Sequence, residues 1–164
     1  MTEQARMKRN QDKMAELFSR FATRIEKIIQ DLQALGIRPR IQEAYRSPEA
    51  QLIAFNSGTS KLKFGFHNIT ADDGKPESLA VDLLDDDRPL APSTNYLLRL
   101  ATVAETHGLE TGVLWGLPPK LQEGVRQALA SGDFGAKVKV GWDPTHIQPR
   151  GITVAEAKQG KRPT

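Results

Sequence analysis

Apolar residues recur at three- and four-residue steps between Met14 and Leu35. This spacing predicts a helix with one apolar face, and Gly36 is a suitable residue to end it. Capping residues and terminal glycines predict three more helices, in the segments SPEAQLIAFNSG (47–58), STNYLLRLATVAETH (93–107) and PKLQEGVRQALASG (119–132).

Three other segments have the composition or alternation of strands: IRPRIQEAY (37–45), LAVDLLDDD (79–87) and AKVKVGW (136–142). Pro39 lacks a backbone N–H and confines the first of them to a sheet edge or to the beginning of a strand. The segment LETGVLWG (109–116) is compatible with a short strand or a turn, and the polar tail AEAKQGKRPT (155–164) is expected to fray. Because helices and strands intermix with uneven connections, the predicted fold class is α+β, with a small antiparallel sheet flanked by helices.

The length of 164 residues fits a single domain, with a core over about residues 12–150 and a polar tail over 151–164. Lysine and arginine exceed aspartate and glutamate by three (23 − 20), and the basic residues do not form a block. This mild positive charge, spread along the chain, does not favour a nucleic-acid partner. We also expect the protein to be a monomer. The first 18 residues contain no apolar run of signal-peptide length, and no segment suits stable membrane insertion, so we expect synthesis in the cytoplasm.

The chain has no cysteine and three histidines, His67, His107 and His146, so a metal site would have to use histidine and carboxylate ligands. Two histidines, one carboxylate and an open position are a standard set for catalytic zinc. His107 ends a predicted helix, where a cation is favourable for structural reasons. Asp82 lies in the apolar segment LAVDLL, where a carboxylate is costly to bury without a cationic partner. Taken alone, an arginine or lysine partner explains Asp82 as well as a metal does.

The segment WDPTHIQP (142–149) has Asp143 three positions before His146, between two prolines. We expect a proline-constrained turn just beyond the predicted strand 136–142. Such a turn could aim the carboxylate and the imidazole at one point, or it could be a polar turn that happens to contain a histidine. The segment by itself leaves both interpretations open.

Five blocks of the chain, taken together and in order, resemble a family of zinc peptidases: EAYRSPEAQ (43–51), His67, LAVDL (79–83), HGLETGVLW (107–115) and WDPTHIQP (142–149). The family includes the VanY-type D-alanyl-D-alanine carboxypeptidases and the L-alanyl-D-glutamate endopeptidases of phage endolysins. The resemblance implies a single compact zinc-peptidase domain with a Hedgehog/D-Ala-D-Ala-peptidase-like fold.

The resemblance also implies roles for individual residues. One zinc ion would be held by His67, Asp82 and His146. Asp143 would act as the general base, and Arg46, in the YRS part of the first block, would contact the substrate and help to polarise the scissile carbonyl.

The chain departs from the family pattern S-x-H-x-x-G-x-A-x-D in the spacing of its histidine and aspartate. His67 and Asp82 are 15 positions apart (82 − 67), so the segment TADDGKPE (70–77) would have to loop out. Asp72 and Asp73, in that segment, are rival ligands. Asp82 is preferred because it alone has the apolar setting AVD.

Other positions are less specific. Gly65 stands where the pattern has serine, and Ser78 where it has glycine, so a substrate-contacting hydroxyl would be missing or supplied from elsewhere. Gln51 matches a polar position of the first block and is a candidate supporting residue. Trp115 and Trp142 could line the cleft, although an aromatic residue beside a loop more often serves packing.

The function implied by the resemblance is hydrolysis of an amide bond in the peptidoglycan stem peptide, by an endolysin-type lysis enzyme or a wall-remodelling relative. The L-alanyl-D-glutamate bond is favoured, with the D-alanyl-D-alanine bond and a cross-bridge bond as alternatives. Release through a holin-type membrane lesion would bring the enzyme from the cytoplasm to the wall. The alternative from another class is a non-catalytic cell-wall-binding or phage structural module that retains the fold.

Overall fold

Six α-helices and four β-strands make up the protein, in a computed structural model that describes residues 1–164. The helices are α1 (Glu3–Met14), α2 (Ser19–Ala34), α3 (Pro48–Asn56), α4 (Thr94–Thr106), α5 (Pro119–Ser131) and α6 (Val154–Lys158). The strands are β1 (Pro39–Glu43), β2 (Val81–Asp85), β3 (Leu109–Gly112) and β4 (Asp143–Pro149). A 3-10 turn, Phe66–Asn68, lies between α3 and β2. None of the helices combines the length and the apolar character needed to span a membrane.

The four strands form one antiparallel sheet in the order β1-β2-β4-β3, which confirms the predicted α+β class. Side chains alternate between the two faces of a sheet. Val81, Leu83 and Ile147 point to one face and are fully buried, whereas Asp82 and His146 point to the other. The apolar face packs against α2 and α4 in one continuous hydrophobic core. The opposite face is therefore available for polar chemistry.

Helix α1 has no apolar stripe, because the residues that it buries are Arg6 and Asn10. Asn10 donates to the Pro39 carbonyl (3.0 Å) and accepts from the Ile41 N–H (2.8 Å). Arg6 donates to the same Pro39 carbonyl (2.7 Å), and Arg9 donates to the Ile41 carbonyl (2.8 Å). Strand β1 lies at the sheet edge, so α1 satisfies backbone groups that would otherwise be open to another strand.

The helix predicted to begin at Met14 begins instead at Ser19. The intervening backbone bonds to Ser78: the Glu16 carbonyl accepts from the Ser78 N–H (3.0 Å), and the Phe18 N–H donates to the Ser78 carbonyl (3.1 Å). A contact with a distant part of the chain thus replaces the first helical turn that the apolar spacing predicts.

The strand predicted over 136–142 is wrong. Val138 and Val140 are half-buried against the cluster between α4 and α5, and the lysines beside them are exposed, but the backbone of this segment has no strand partner. The strand is the following segment, β4, which the sequence analysis expected to be a proline-constrained turn. Alternation reports which side chains are buried, and it does not report whether the backbone is paired.

The C-terminal tail contains α6, contrary to the expectation that it frays. Ala157 is 1% exposed and belongs to the main core. Arg162 donates to the Thr70 carbonyl (2.9 Å) and forms an ion pair with Glu77 (3.0 Å). The tail is therefore held against the loop that precedes β2.

We expect Asn10→Ala to lower the free energy of unfolding by about 1–3 kcal/mol, because it removes both hydrogen bonds of the Asn10 side chain and leaves the Ile41 N–H unpaired in a buried position. Urea denaturation followed by circular dichroism measures this change. The neighbouring Gln11 is exposed, so Gln11→Ala is the matched control and should change stability by less than about 0.5 kcal/mol. Equal stabilities of the two variants would contradict the role given to α1.

Candidate metal centre

Three side chains with metal-binding atoms, His67, Asp82 and His146, converge on the polar face of the sheet. Asp82 on β2 pairs directly across from His146 on β4, and the 3-10 turn brings His67 beside them. Asp82 Oδ1 lies 3.3 Å from His146 Nδ1 and 3.5 Å from His67 Nε2. One ligand atom from each residue lies within 4.8 Å of the other two. The structure thus brings together the three residues that the resemblance implied as ligands.

Hydrogen bonds fix the orientation and the tautomer of both imidazole rings. His67 Nδ1 donates to the Ala44 carbonyl (2.7 Å), which points Nε2 at Asp82 and makes it the acceptor nitrogen whenever the ring is neutral. His146 Nε2 donates to Gln148 Oε1 (3.0 Å), which leaves Nδ1 free on the same side. Gln148 in turn donates to Glu110 Oε1 (2.9 Å). Such outer hydrogen bonds are typical of histidines that bind metals.

The cluster also shifts the ionisation of Asp82 and His67. Burial opposes the charged form of Asp82, but His146 and His67 reverse this effect and hold the pKa of its carboxyl well below the usual range. Burial likewise lowers the pKa of His67, but the hydrogen bond and the charge of Asp82 outweigh it, so the net shift is upward. Asp82 is therefore an anion at neutral pH, and the site favours a cation beside it.

Asp143 reaches the same site because β4 is irregular. In a regular strand, residues three apart point to opposite faces. Here the register with β3 shifts between Thr111 and Gly112, and Asp143 Oδ2 lies 3.8 Å from His146 Nδ1. A Cβ atom at Gly112 would overlap the Asp143 carbonyl oxygen, so only glycine permits this approach. Burial raises the pKa of the Asp143 carboxyl, which makes it a stronger base.

Arg46 lines the same cleft with its guanidinium held on two sides. Its Nε and Nη2 donate to the two carboxylate oxygens of Glu43 (2.6 and 2.5 Å), and Nη1 donates to Gln51 Oε1 (3.1 Å). The hydrogen bond with Glu43 raises the pKa of Arg46 further. Gln51, the candidate supporting residue, thus positions Arg46 rather than a ligand of the metal centre.

The cleft over the three residues has a volume of about 340 Å³. The two tryptophans both line it. The Trp115 ring centroid lies 5.4 Å from that of His146 and 5.6 Å from that of Trp142. Trp142 is half exposed, so the aromatic rings form a wall along the cleft rather than part of the core.

The segment between His67 and Asp82 loops out as a closed turn. Thr70 pairs with Pro76, and Ala71 and Lys75 share a backbone hydrogen bond of 2.9 Å. The rival ligands Asp72 and Asp73, in this turn, are exposed and do not join the cluster.

Two other positions have structural partners. His107, the third histidine, lies outside the site and forms a 2.7 Å hydrogen bond with Asp31. The Ser78 hydroxyl is buried between the carbonyl oxygens of Ala44 (3.0 Å) and Ala80 (2.9 Å), and its one hydrogen can be donated to either. Ser78 thus supports the carbonyl that orients His67, and Gly65 contributes no hydroxyl to the cleft.

The sequence analysis missed three groups that orient the site: the Ala44 carbonyl, Gln148 and Glu43. Gln148 follows His146 by two positions, so on a strand both face the same side, but the expectation of a turn hid this relation. Glu43 is the first residue of the block EAYRSPEAQ. The spacing of three residues between Glu43 and Arg46 is common in proteins and does not by itself indicate a pair. A backbone carbonyl leaves no signal in residue types.

No protein-family model, curated protein or solved structure matches this chain. The chemistry of the site therefore follows from its own residues. Two buried histidines with free acceptor nitrogens and one ionised carboxylate can hold a metal ion.

We expect His67→Ala and His146→Ala each to abolish tight binding of a divalent metal, because each removes one of three ligands. His107→Ala should bind as the unmodified protein does, since His107 lies outside the cluster and its ring bonds to Asp31. Titration with zinc in the presence of a competing chelator measures the dissociation constant of each variant and of the unmodified protein. Tight binding by both the His67 and the His146 variants would show that the metal ion binds at another place in the protein.

We expect Gln148→Ala to weaken metal binding by about 10–100-fold, because His146 loses the acceptor that fixes its tautomer. Gln127→Ala, which removes an exposed glutamine from α5, is the control and should leave the affinity unchanged. The same competition titration applies. An unchanged affinity in the Gln148 variant would exclude an orienting role.

Proposed function

We propose that the protein is a zinc-dependent peptidase that hydrolyses an amide bond in the peptidoglycan stem peptide. The observation that carries the proposal is the convergence of His67, Asp82 and His146, from three distant parts of the chain, beside Asp143 and Arg46 in one cleft. These are the residues, and the roles, that the resemblance to the VanY-type and endolysin peptidases implies.

The spacing of the three ligands supports zinc. Zinc binds nitrogen and oxygen ligands at about 2.0–2.1 Å, so neighbouring ligand atoms of a tetrahedral site are about 3.3–3.4 Å apart. The two distances from Asp82 Oδ1, 3.3 and 3.5 Å, agree with this edge length, and the two histidine nitrogens lie within 4.8 Å of each other. With three protein ligands, a fourth position is left for water or substrate, as catalytic zinc requires.

Amide hydrolysis needs an activated water, stabilisation of the developing oxyanion and a proton for the leaving nitrogen. When bound, zinc supplies a Lewis acid and lowers the pKa of water to about 7. Asp143 accepts a proton from the attacking water and passes it to the leaving nitrogen, a role to which its raised pKa and its position beside His146 are suited.

Arg46 stabilises negative charge on the substrate carbonyl as the water attacks. Glu43 and Gln51 hold its guanidinium in place, which lowers the entropic cost of using it. Glu43 and Gln51 accept from three of the five N–H donors of Arg46, so two N–H groups remain for negative charge on the substrate.

The proposed fold is that of the family itself, in which a small antiparallel sheet flanked by helices carries one zinc site. The L-alanyl-D-glutamate bond is the favoured target and the D-alanyl-D-alanine bond the second, in an endolysin-type or wall-remodelling role. A non-catalytic wall-binding module with the same fold is the competing proposal. The presence of Asp143 and Arg46 beside the ligand cluster favours the enzyme, because a binding module needs neither.

Digestion of purified peptidoglycan by the zinc-loaded protein tests the proposal. We expect new peptide ends, identified by mass spectrometry, which appear without chelator, disappear with it and return when zinc is restored. The identity of the new ends distinguishes the two candidate bonds. Zinc binding without any new end would support the binding module and contradict the peptidase.

In the same assay we expect Asp143→Ala to keep zinc and to lower the rate by at least about 100-fold, the usual contribution of a general base. Asp72→Ala removes an exposed aspartate and should leave both zinc content and rate unchanged. Full activity of the zinc-loaded Asp143 variant would remove that residue from the mechanism.

A further inference from the structure

The two cations that line the cleft differ in how their charges are satisfied. Arg46 is paired with Glu43 through both carboxylate oxygens. Lys61, in the loop between α3 and the 3-10 turn, lines the same cleft and forms no ion pair or hydrogen bond through its ammonium group. Its Nζ lies instead 4.3 Å from the centroid of the Trp142 ring. Lys61 is therefore the cation of the cleft that no carboxylate neutralises.

The Trp142 ring, which the Lys61 ammonium group contacts, is held in place by its neighbours. Trp142 packs against Trp115, with 5.6 Å between ring centroids. Gly116, whose φ is +75°, lies so close that a Cβ atom there would come within 2.8 Å of Trp142 Cδ1. A cation–π contact holds a lysine in place without cancelling its charge. The side chain thus loses less freedom on binding a ligand than a fully solvated lysine would.

A chain of ring contacts connects Lys61 to the ligand cluster. Trp142 contacts Trp115, and the Trp115 centroid lies 5.4 Å from that of His146. An extended peptide advances about 3.3–3.6 Å per residue. A peptide whose scissile bond lies at the cluster would therefore present a group to Lys61 within a few residues of that bond.

We propose that Lys61 is a specificity-determining residue that binds a carboxylate of the substrate peptide, a few residues from the scissile bond. The proposal rests on the peptidase function proposed above and narrows its substrates to acidic peptides. A carboxylate is the complement of an unpaired ammonium group, and an amide at the same position offers only a neutral acceptor.

Binding of synthetic stem pentapeptides tests the proposal. Three are compared: one with the α-carboxylate of D-glutamate and the C-terminal carboxylate both free, and two in which one or the other is an amide. Affinities are measured for the zinc-loaded Asp143→Ala protein, which we expect to bind without cleaving. We expect one of the two amide peptides to bind about fivefold more weakly than the free-acid peptide, a factor that corresponds to a solvent-exposed ion pair. The difference should become smaller at high salt, because salt screens exposed charges.

Lys61→Met, introduced into the same background, keeps an apolar stem over Trp142 and removes only the charge. Lys61→Met should bind the free-acid peptide and the weaker-binding amide peptide equally. Lys61→Arg, which keeps a positive charge, should keep the preference for the free-acid peptide. Lys63→Met is the matched control, because Lys63 is an exposed lysine of the same loop that lies outside the cleft, 5.4 Å from the Phe55 ring centroid. It should retain the preference.

Cleavage of the same peptides by the protein with Asp143 intact separates the two proposals. A carboxylate preference that depends on Lys61, together with no cleavage, supports the carboxylate site and overturns the peptidase. Cleavage with equal affinity for all three peptides supports the peptidase and overturns the role of Lys61. A preference that survives in Lys61→Met, or no binding of any peptide, also overturns that role.

Discussion

Asp82 and His146 lie opposite one another on adjacent antiparallel strands, and the neighbouring pair, Val81 and Ile147, lies on the other face in the core. One strand register therefore determines both which side chains join the candidate metal site and which side chains enter the hydrophobic core. A slip of one residue would turn the carboxylate and the imidazole into the hydrophobic core and the aliphatic side chains toward the cleft. The free energy of burying the apolar face thus holds two of the three ligands in place, without any metal.

Around this regular pair, the site depends on local departures from regular structure. The shifted register between β3 and β4 brings Asp143 to the side of His146, and Gly112 permits the close approach. The turn over 70–77 returns the chain so that His67 meets Asp82. Such irregularities cost backbone hydrogen bonds, and they occur here where a side chain has to be aimed at the cluster.

Outer hydrogen bonds complete the arrangement. Backbone and side-chain acceptors direct one nitrogen of each imidazole away from the cluster and the other toward Asp82, so the three side chains are already oriented in a way that could hold a metal ion. Arg46 is likewise held by its neighbours, whereas Lys61 rests on an aromatic ring with its charge unpaired. These two environments underlie the proposed roles, a fixed contact with the scissile carbonyl for Arg46 and an exchangeable carboxylate for Lys61.

Residue types and spacing were sufficient for the α+β class and for the helices with clear caps, because apolar periodicity and capping are local properties. They left the roles of Asp82 and His146 open, and only the resemblance to the zinc peptidases implied His67, Asp82 and His146 as a ligand set. They did not reveal α1, whose buried face is polar, and they placed a strand at 136–142 instead of 143–149. Strand pairing, the tautomers of the histidines and the isolation of Lys61 were decided by the tertiary structure. Each depends on hydrogen-bond and charge partners that are distant along the chain, so their free energies do not appear in any single segment.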